Sequence, residues 1–237
     1  MEHRNHLGQP VGAPLPDWSP RKPPPRTAMT GRFCTVEPLD PVCHAAQLFA
    51  AYAEDAEGRM WTYLPRGPYA SLGEYRGWAE AAYHADDPLV HAIIDKASGE
   101  AVGTAALMRI EPDVGVIEIG SITYSPRLQR RPAGTEAMYL MMRRVFDELG
   151  YRRYEWKCNS LNLPSRAAAD RYGFQYEGLF RQATITRGRN RDTTWFSVID
   201  SEWPALRSAF ERWLDPANFD AQGQQRRSLA SLRSSPE

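Results

Sequence analysis

The chain has 237 residues, a length that accommodates one α/β domain with additional tails. Lys plus Arg and Asp plus Glu both number 29, so the zero net charge excludes a general electrostatic attraction to nucleic acid or to an anionic membrane. The sequence has no run of about 18 apolar residues, so no membrane span is predicted. The N-terminal residues lack the apolar core of a secretory signal. Cys34, Cys43 and Cys158 fit neither a disulfide framework nor a zinc site. We therefore expect a cytoplasmic protein without a metal.

The composition divides the chain into three parts. Residues 1–30 are rich in proline ("PVGAPLPDWSPRKPPPR") and predict an extended arm that lies on the domain or stays loose, with Trp18 as a possible anchor. Residues 31–217 carry the periodic patterns of a folded domain. Residues 218–237 are polar, which predicts a disordered tail.

The first half of the domain alternates strands and helices. A strand is predicted over 32–39 by alternation. Two helices follow, in "DPVCHAAQLFAAYAED" and "LGEYRGWAEAAYHA", and the aromatic loop "MWTYLPRGPY" separates them. Two β-rich runs around "KASGE" then predict a hairpin with glycine in its turn.

The second half begins with a strand over 114–125 and a helix that has one apolar face and ends at Gly150. "YRRYEWKC" is typical of a strand, and "NLPSRAAADRYG" predicts a short helix with Asn162 as its cap. Two antiparallel strands around "RGRN" and the helix "SEWPALRSAFERWL" complete the domain. The pattern predicts one α/β domain with a mixed strand order.

The segment "QRRPAG", residues 129–134, lies between a strand and a helix. The first N–H groups of a helix are unpaired and favour an anion. Gly134 would let a ligand approach the backbone, Pro132 suits a first helical turn, and Arg130 and Arg131 add positive charge. The segment therefore predicts a phosphate site, although a purely structural turn explains it equally well when it is taken alone.

Three motifs in order resemble the GNAT superfamily of acetyl-CoA-dependent N-acetyltransferases over residues 32–214. "QRRPAG" is similar to the family's (Gln/Arg)-x-x-Gly-x-(Gly/Ala), with Pro132 in place of the central glycine. "GTEAM" and "NLPSRAAADRYGF" resemble the "ATEAL" and N-x-x-S-x(7)-GF of the RimJ/RimL branch, which acetylates ribosomal-protein N-termini. "YEGLFRQATITRGRNRDTTWFSVIDSEW" resembles the closing hairpin of that branch.

The resemblance implies an α/β GNAT fold. Its central sheet would be mixed but mostly antiparallel, with about seven strands and with helices on both faces. A splay between the fourth and fifth strands, 116–124 and 152–158, would admit the thioester of acetyl-CoA. The residues that would hold acetyl-CoA are Ile122, Tyr124, Gln129, Arg130, Arg131, Ala133, Gly134, Thr135 and Asn162.

For the general base the resemblance favours Glu118, which precedes Gln129 by eleven residues, the spacing of the base in histone-acetylating relatives. The alternative is a solvent-facing glutamate on an alternating strand. Asp192 is a second candidate base and a candidate substrate contact, although it could simply close the "RGRNRD" turn. Solvent water could also take the proton.

For the general acid the candidate is Ser165, which could instead serve only the first turn of its helix. Ala169 stands where many relatives have a tyrosine acid. Thr184 stands where some ribosomal-protein acetyltransferases have a working glutamate, which weakens the case for a ribosomal substrate.

The acceptor site is predicted between the aromatic loop and the last hairpin. Trp61 and Tyr63 could stack on an amine or bind its cation, or they could pack on the core. The acceptor would be a small-molecule amine or a protein N-terminal α-amino group, with no nucleic acid or membrane partner and a possible homodimer. The alternative function is an acyl-CoA-binding module with little catalytic activity.

Overall fold

The structure, a computed structural model, describes residues 2–234. The strands are β1 (His3–Arg4), β2 (Pro10–Val11), β3 (Met29–Thr30), β4 (Cys34–Pro38), β5 (Leu89–Asp95), β6 (Glu100–Glu111), β7 (Val116–Tyr124), β8 (Arg153–Asn159), β9 (Gln175–Thr186) and β10 (Arg189–Ile199). The helices are α1 (Pro41–Ala53), α2 (Leu72–Tyr83), α3 (Pro132–Arg143), α4 (Leu163–Tyr172), α5 (Trp203–Leu214) and α6 (Leu229–Arg233), and a π-helical turn Arg144–Glu148 continues α3.

Eight strands form the central sheet in the order β3-β4-β5-β6-β7-β8-β10-β9. Only β7 and β8 are parallel, and every other neighbouring pair is antiparallel. The prediction of a mixed, mostly antiparallel α/β sheet is confirmed. The strand beyond the expected seven is β3, whose two residues are too short to produce an alternating pattern.

Helix starts follow from local capping chemistry. The side chains of Asp40, Ser71 and Asn162 accept hydrogen bonds from backbone N–H groups in the first turns of α1, α2 and α4. By contrast, α3 begins at Pro132 after Arg131, and no side chain within residues 2–234 caps it. The first turn of α3 is therefore open to an external acceptor.

Helices cover both faces of the sheet. One core cluster joins α3, α4 and α5 to the sheet through residues such as Met138, Ala169 and Phe210. A second cluster on the other face joins α1 and α2 to β5 and β6, with Leu48 and Tyr75 at its centre. None of the helices in residues 2–234 has the length and apolar composition that crossing a bilayer requires.

The splay lies between β7 and β8. The two strands pair only over Val116–Ile119 and Arg153–Trp156, whereas β7 continues to Tyr124 and β8 to Asn159. Ser121 has a φ of 50°, and the register between β6 and β7 shifts near this point. The irregularity turns the end of β7 away from β8 and opens a gap in the sheet.

The N-terminal arm contacts the domain at Trp18. The indole Nε1 donates a hydrogen bond of 2.8 Å to the carbonyl oxygen of Asp113. A Cβ on Gly115 would lie 2.3 Å from the Trp18 ring, so only glycine allows this close contact. The Arg21 guanidinium lies 4.4 Å from the ring centroid. The arm thus lies on the domain at its Trp18 anchor.

The expectation of a disordered tail is not met for residues 218–234. Asn218 is buried, and its side chain bonds to the backbone of Trp213 and Arg227. Leu229 and Leu232 of α6 are also buried. These three residues anchor the tail, but its mostly polar composition predicted disorder. Residues 235–237 lie outside the described part of the chain.

Candidate functional site

A cavity of about 380 Å³ lies at the first turn of α3. Its walls come from the end of β7, the loop before α3, the end of α4, the end of α5 and the C-terminal segment. The lining residues are Tyr124, Leu128, Arg130, Arg131, Pro132, Gly134, Thr135, Arg171, Tyr172, Trp213, Phe219, Gly223, Gln224 and Gln225.

The backbone at this cavity offers free donors. Among the described residues, no acceptor bonds to the N–H groups of Arg130 and Ala133. The N–H of Gly134 is already bonded to the carbonyl oxygen of Arg131 at 3.1 Å. Arg130 has a φ of 60°, which turns the backbone just before the helix starts. These donors and the positive end of the helix dipole favour an anion here.

Three arginines add charge to the cavity. Arg130 and Arg131 are exposed and have no ion-pair partner within residues 2–234. The Nη1 atom of Arg171 donates to the buried Thr135 hydroxyl at 3.0 Å, and its guanidinium lies over Tyr172. No carboxylate pairs with Arg171 in the described structure. The residues present therefore fit the phosphates of coenzyme A.

Gln129 and Tyr124, which were predicted to contact the coenzyme, hold the loop that leads into α3. The Gln129 Nε2 atom donates to the carbonyl oxygen of Tyr124 at 2.8 Å and closes the loop. The Tyr124 hydroxyl donates to the carbonyl oxygen of Gly134 at 3.1 Å. Ile122 packs against the core cluster in the unpaired part of β7. Gln129 and Tyr124 thus fix the loop between β7 and α3.

Gly134 lines the cavity and is also tightly packed inside the protein. A Cβ on this residue would lie 3.1 Å from Cε2 of Tyr124 and 3.2 Å from the carbonyl oxygen of Leu128. A side chain here would therefore crowd these two neighbours. The prediction that glycine lets a ligand approach the backbone stays a prediction, and internal packing is a second reason for glycine at this position.

Ser165 contacts β8 through Trp156, at the point where β7 and β8 separate. The indole Nε1 of Trp156 donates to its Oγ at 3.0 Å, and Trp156 belongs to the last residue pair, with Ile119, before the strands separate. The Ser165 N–H donates to the Asn162 side chain, which caps α4. Because the indole N–H uses only an acceptor position on Oγ, the Ser165 hydroxyl keeps its own proton available for donation to another group.

Glu118 is buried on β7, with 3 % of its surface exposed, so it is not the solvent-facing glutamate of the alternative interpretation. Its Oε2 lies 2.5 Å from Arg109 Nη1 and 2.9 Å from Lys157 Nζ. Lys157 also pairs with Glu155 at 2.7 Å and lies over Trp195. Glu118 is thus part of a network of acids and cations that is buried except at Arg109, whose side chain is exposed.

Asp192 closes the hairpin between β9 and β10. Its Oδ1 accepts hydrogen bonds from the Gln182 N–H at 2.7 Å and from Asn190 Nδ2 at 3.0 Å. These two bonds, the first above all, lower the pKa of the Asp192 carboxyl. The carboxylate is occupied in the turn, which agrees with its structural interpretation.

The aromatic loop and the hairpin meet, as expected for the walls of an acceptor site. The Arg187 guanidinium donates to the carbonyl oxygen of Gly67. Trp61, however, is buried edge-on against Tyr52 and Tyr69, so in this structure it packs on the core and cannot stack on a ligand. Tyr63 is half-buried. The expectation of substrate stacking on Trp61 is corrected.

The sequence analysis did not predict three parts of the site, namely Arg171, Trp156 and residues 219–225. Arg171 had a weak signal, since it precedes the "YGF" of the third motif. The contacts of Trp156 and of residues 219–225 depend on where distant segments meet, and no local pattern reports that.

The structure thus brings a helix start that favours an anion beside an open strand pair. The chain matches the family described as "Acetyltransferase (GNAT) domain" over residues 35–175. It belongs to the GNAT acetyltransferase family and is an acyltransferase. No curated protein matches the chain at a significant level.

Solved structures agree with this family. A GCN5-related N-acetyltransferase from Brucella melitensis is 52 % identical, with a TM-score of 0.92, over 93 % of this chain and 100 % of that chain. A probable acetyltransferase (GNAT family) from Chromobacterium violaceum is 38 % identical, with a TM-score of 0.77, over 83 % and 98 %. An acetyl transferase from Salmonella typhimurium that modifies the N-terminal serine of ribosomal protein L7/L12 is 20 % identical, with a TM-score of 0.62, over 71 % and 96 %.

Proposed function

We propose that the chain transfers the acetyl group of acetyl-CoA to a primary amine by direct attack in a ternary complex. The observation that carries the proposal is the gap between β7 and β8, which has the α3 cavity at the end of β7. Ser165 is hydrogen-bonded to Trp156, a residue of the last pair before the two strands separate. A donor that spans from phosphates to a thioester fits this arrangement.

The coenzyme would lie across three elements. Its phosphates would contact the N–H groups of Arg130 and Ala133 and the side chains of Arg131 and Arg171. Its pantetheine arm would follow the unpaired edge of β7, and the thioester would reach Ser165. Acetyl-CoA supplies the acetyl group and the thiolate leaving group.

The chemistry requires a neutral amine, because an ammonium ion has no lone pair for attack. Glu118 would accept the proton of the amine, directly or through water. As the C–N bond forms, backbone N–H groups of β7 in the gap would stabilise the oxyanion. As the C–S bond breaks, the Ser165 hydroxyl would donate its proton to the thiolate.

The acceptor would be a small-molecule amine or the N-terminal α-amino group of a protein. Support for the second comes from "GTEAM" and "NLPSRAAADRYGF", which resemble the RimJ/RimL branch. Thr184, where some of those enzymes have a glutamate, favours the first. An acyl-CoA-binding protein without turnover is the second candidate function, because three residues depart from the family pattern. Pro132 removes one backbone N–H from the phosphate motif, and Ala169 and Thr184 stand where relatives have a tyrosine acid and a working glutamate.

Two measurements test the proposal. Calorimetry with coenzyme A and dephospho-coenzyme A should show at least about tenfold weaker binding of the second, a difference of roughly 1.4 kcal/mol, because the arginines lose the 3′-phosphate. Thiol release from acetyl-CoA with a panel of amines and N-terminal peptides should show turnover. Absence of binding by both ligands contradicts acetyl-CoA use, and binding without thiol release supports the second candidate.

A further inference from the structure

A C-terminal strap, residues 219–225, covers the open side of the α3 cavity. Phe219, Gly223, Gln224 and Gln225 of the strap line that cavity. The match to the acetyltransferase family ends at residue 175, so the strap lies outside the matched region. A wall of the coenzyme site therefore comes from a segment that the family match does not include.

The strap is internally rigid because of Asp220. Its Oδ1 accepts hydrogen bonds from the N–H groups of Gln222 at 3.0 Å and Gln224 at 2.8 Å. The N–H of Asp220 donates to the carbonyl oxygen of Gln224 at 3.0 Å. Gly223 provides the positive φ of 75° that this turn requires. The turn is thus preorganised rather than loose.

The strap is also fastened to the domain. The indole Nε1 of Trp213 donates to the side-chain Oε1 of Gln225 at 2.7 Å. The Phe219 ring packs edge-on against Phe33 at 5.5 Å and against Trp213 at 5.3 Å. This bond uses Oε1 of Gln225. The amide nitrogen of Gln225 has no acceptor within the described residues and is available to a ligand.

Across the cavity lie Arg130, Arg131 and Arg171, none with a carboxylate partner within residues 2–234. The strap residues that line the cavity are uncharged, and two of them, Gln224 and Gln225, carry carboxamides. A ligand that satisfies both walls has phosphates on one side and hydrogen-bonding polar groups on the other. A nucleotide has this chemistry, and carboxamides bind the edge of adenine well.

We propose that the strap is the outer wall of the coenzyme site and contacts the adenosine 3′-phosphate end of acetyl-CoA through Gln224 and Gln225. The inference rests on the proposed use of acetyl-CoA. It makes the C-terminal segment a determinant of coenzyme affinity, in addition to its packing on the domain.

The test compares two single variants, each of which adds one negative charge to the strap. Gln224→Glu puts a carboxylate on the cavity wall, where it repels the phosphates and competes for the arginines. Gln222→Glu adds the same charge in the same exposed turn, but Gln222 does not line the cavity. Calorimetry on the full chain would use coenzyme A and adenosine 3′,5′-bisphosphate. We expect Gln224→Glu to weaken both ligands at least about tenfold, and Gln222→Glu to stay within about twofold.

Equal affinities of the two variants, whether both unchanged or both weakened, would overturn the strap proposal while leaving acetyl-CoA use intact. Failure of the wild-type chain to bind coenzyme A would overturn the proposed function itself. Thermal unfolding checks both variants. If Gln224→Glu is unfolded, Gln224→Ala replaces it with an expected loss of about threefold in affinity, and unchanged affinity there also contradicts the proposal.

Discussion

The Ser165 hydroxyl is positioned by two neighbours that hold different atoms of the same residue. The Asn162 side chain fixes the backbone N–H, and the Trp156 indole fixes the side-chain oxygen. A helix-cap role and a proton-donor role are therefore compatible in one residue. The sequence pattern presented them as alternatives because it reports spacing and not the direction of a hydrogen bond.

Ser165→Ala should lower kcat by about 10²-fold, the lower end for loss of a general acid, because a thiolate is a tolerable leaving group. The KM for acetyl-CoA should change little. Trp156→Phe keeps an aromatic ring but removes the indole donor together with part of the buried volume, so it should lower kcat several-fold. Steady-state kinetics of both variants tests this, and an active Ser165→Ala would remove the hydroxyl from the mechanism.

Glu118→Gln should lower kcat by about 10²–10⁴ while acetyl-CoA affinity persists, since the amide keeps the shape but cannot take the proton. Asp192→Asn is the matched control, because the Asp192 carboxylate is used in the hairpin turn. The comparison requires rates across pH for both variants. An active Glu118→Gln beside an inactive Asp192→Asn would reverse the two assignments.

At the scale of elements, α3 owes its position to a buried carboxylate in the "GTEAM" motif. Glu136 accepts hydrogen bonds from the N–H groups of Arg32 at 2.7 Å, Phe33 at 2.6 Å and Cys34 at 2.8 Å. A Cβ on Gly31 would lie 2.3 Å from the Glu136 carboxyl carbon. This contact fixes the helix against the β3–β4 turn, and so it also fixes the helix start that faces the cavity.

Gly134→Val should destabilise the protein by about 1–3 kcal/mol, because the added carbons meet Tyr124 and Leu128 inside the fold. The displaced helix start should also weaken coenzyme A binding. Chemical denaturation and calorimetry measure the two effects, with Gly77→Ala as the control, since a Cβ at Gly77 meets no atom within 4 Å. Weaker binding with unchanged stability would favour the ligand-approach explanation.

Much of the fold could be predicted from the sequence. The strand and helix order and the start of α3 follow from alternation and from the glycine and proline positions, and the family resemblance predicted the gap between β7 and β8. The point where the gap begins, after Ile119, came only from the structure. What sequence patterns could not supply was long-range contact. Trp61 packs into the core, and residues 219–225 return to the cavity only because Asn218 and Trp213 bond to the tail.

For the whole molecule, His91 links stability to pH. The side chain is fully buried on β5, and burial, followed by the nearby charge of Arg144, lowers its pKa from 6.5 to about 4. The unfolded chain therefore binds more protons between these values. The free energy of unfolding should fall by up to about 3 kcal/mol as the pH drops from 6.5 to 4.

His91→Leu should flatten this part of the stability profile, whereas the exposed His84→Gln should leave it unchanged. Urea denaturation at half-unit pH steps measures both. Identical acid slopes in His91→Leu and the wild-type chain would show that carboxylates, and not His91, determine the loss.

The open pair of β7 and β8 has a consequence for the energy landscape of the protein. Only four residue pairs join the two halves of the sheet along this seam. A pantetheine arm carries amide groups, so a bound coenzyme would act there as a surrogate strand and complete the hydrogen-bonding pattern. Substrate binding and conformational stability would then be thermodynamically linked. A higher concentration of acetyl-CoA would then raise the free energy of unfolding of the enzyme as well as the rate of acetyl transfer.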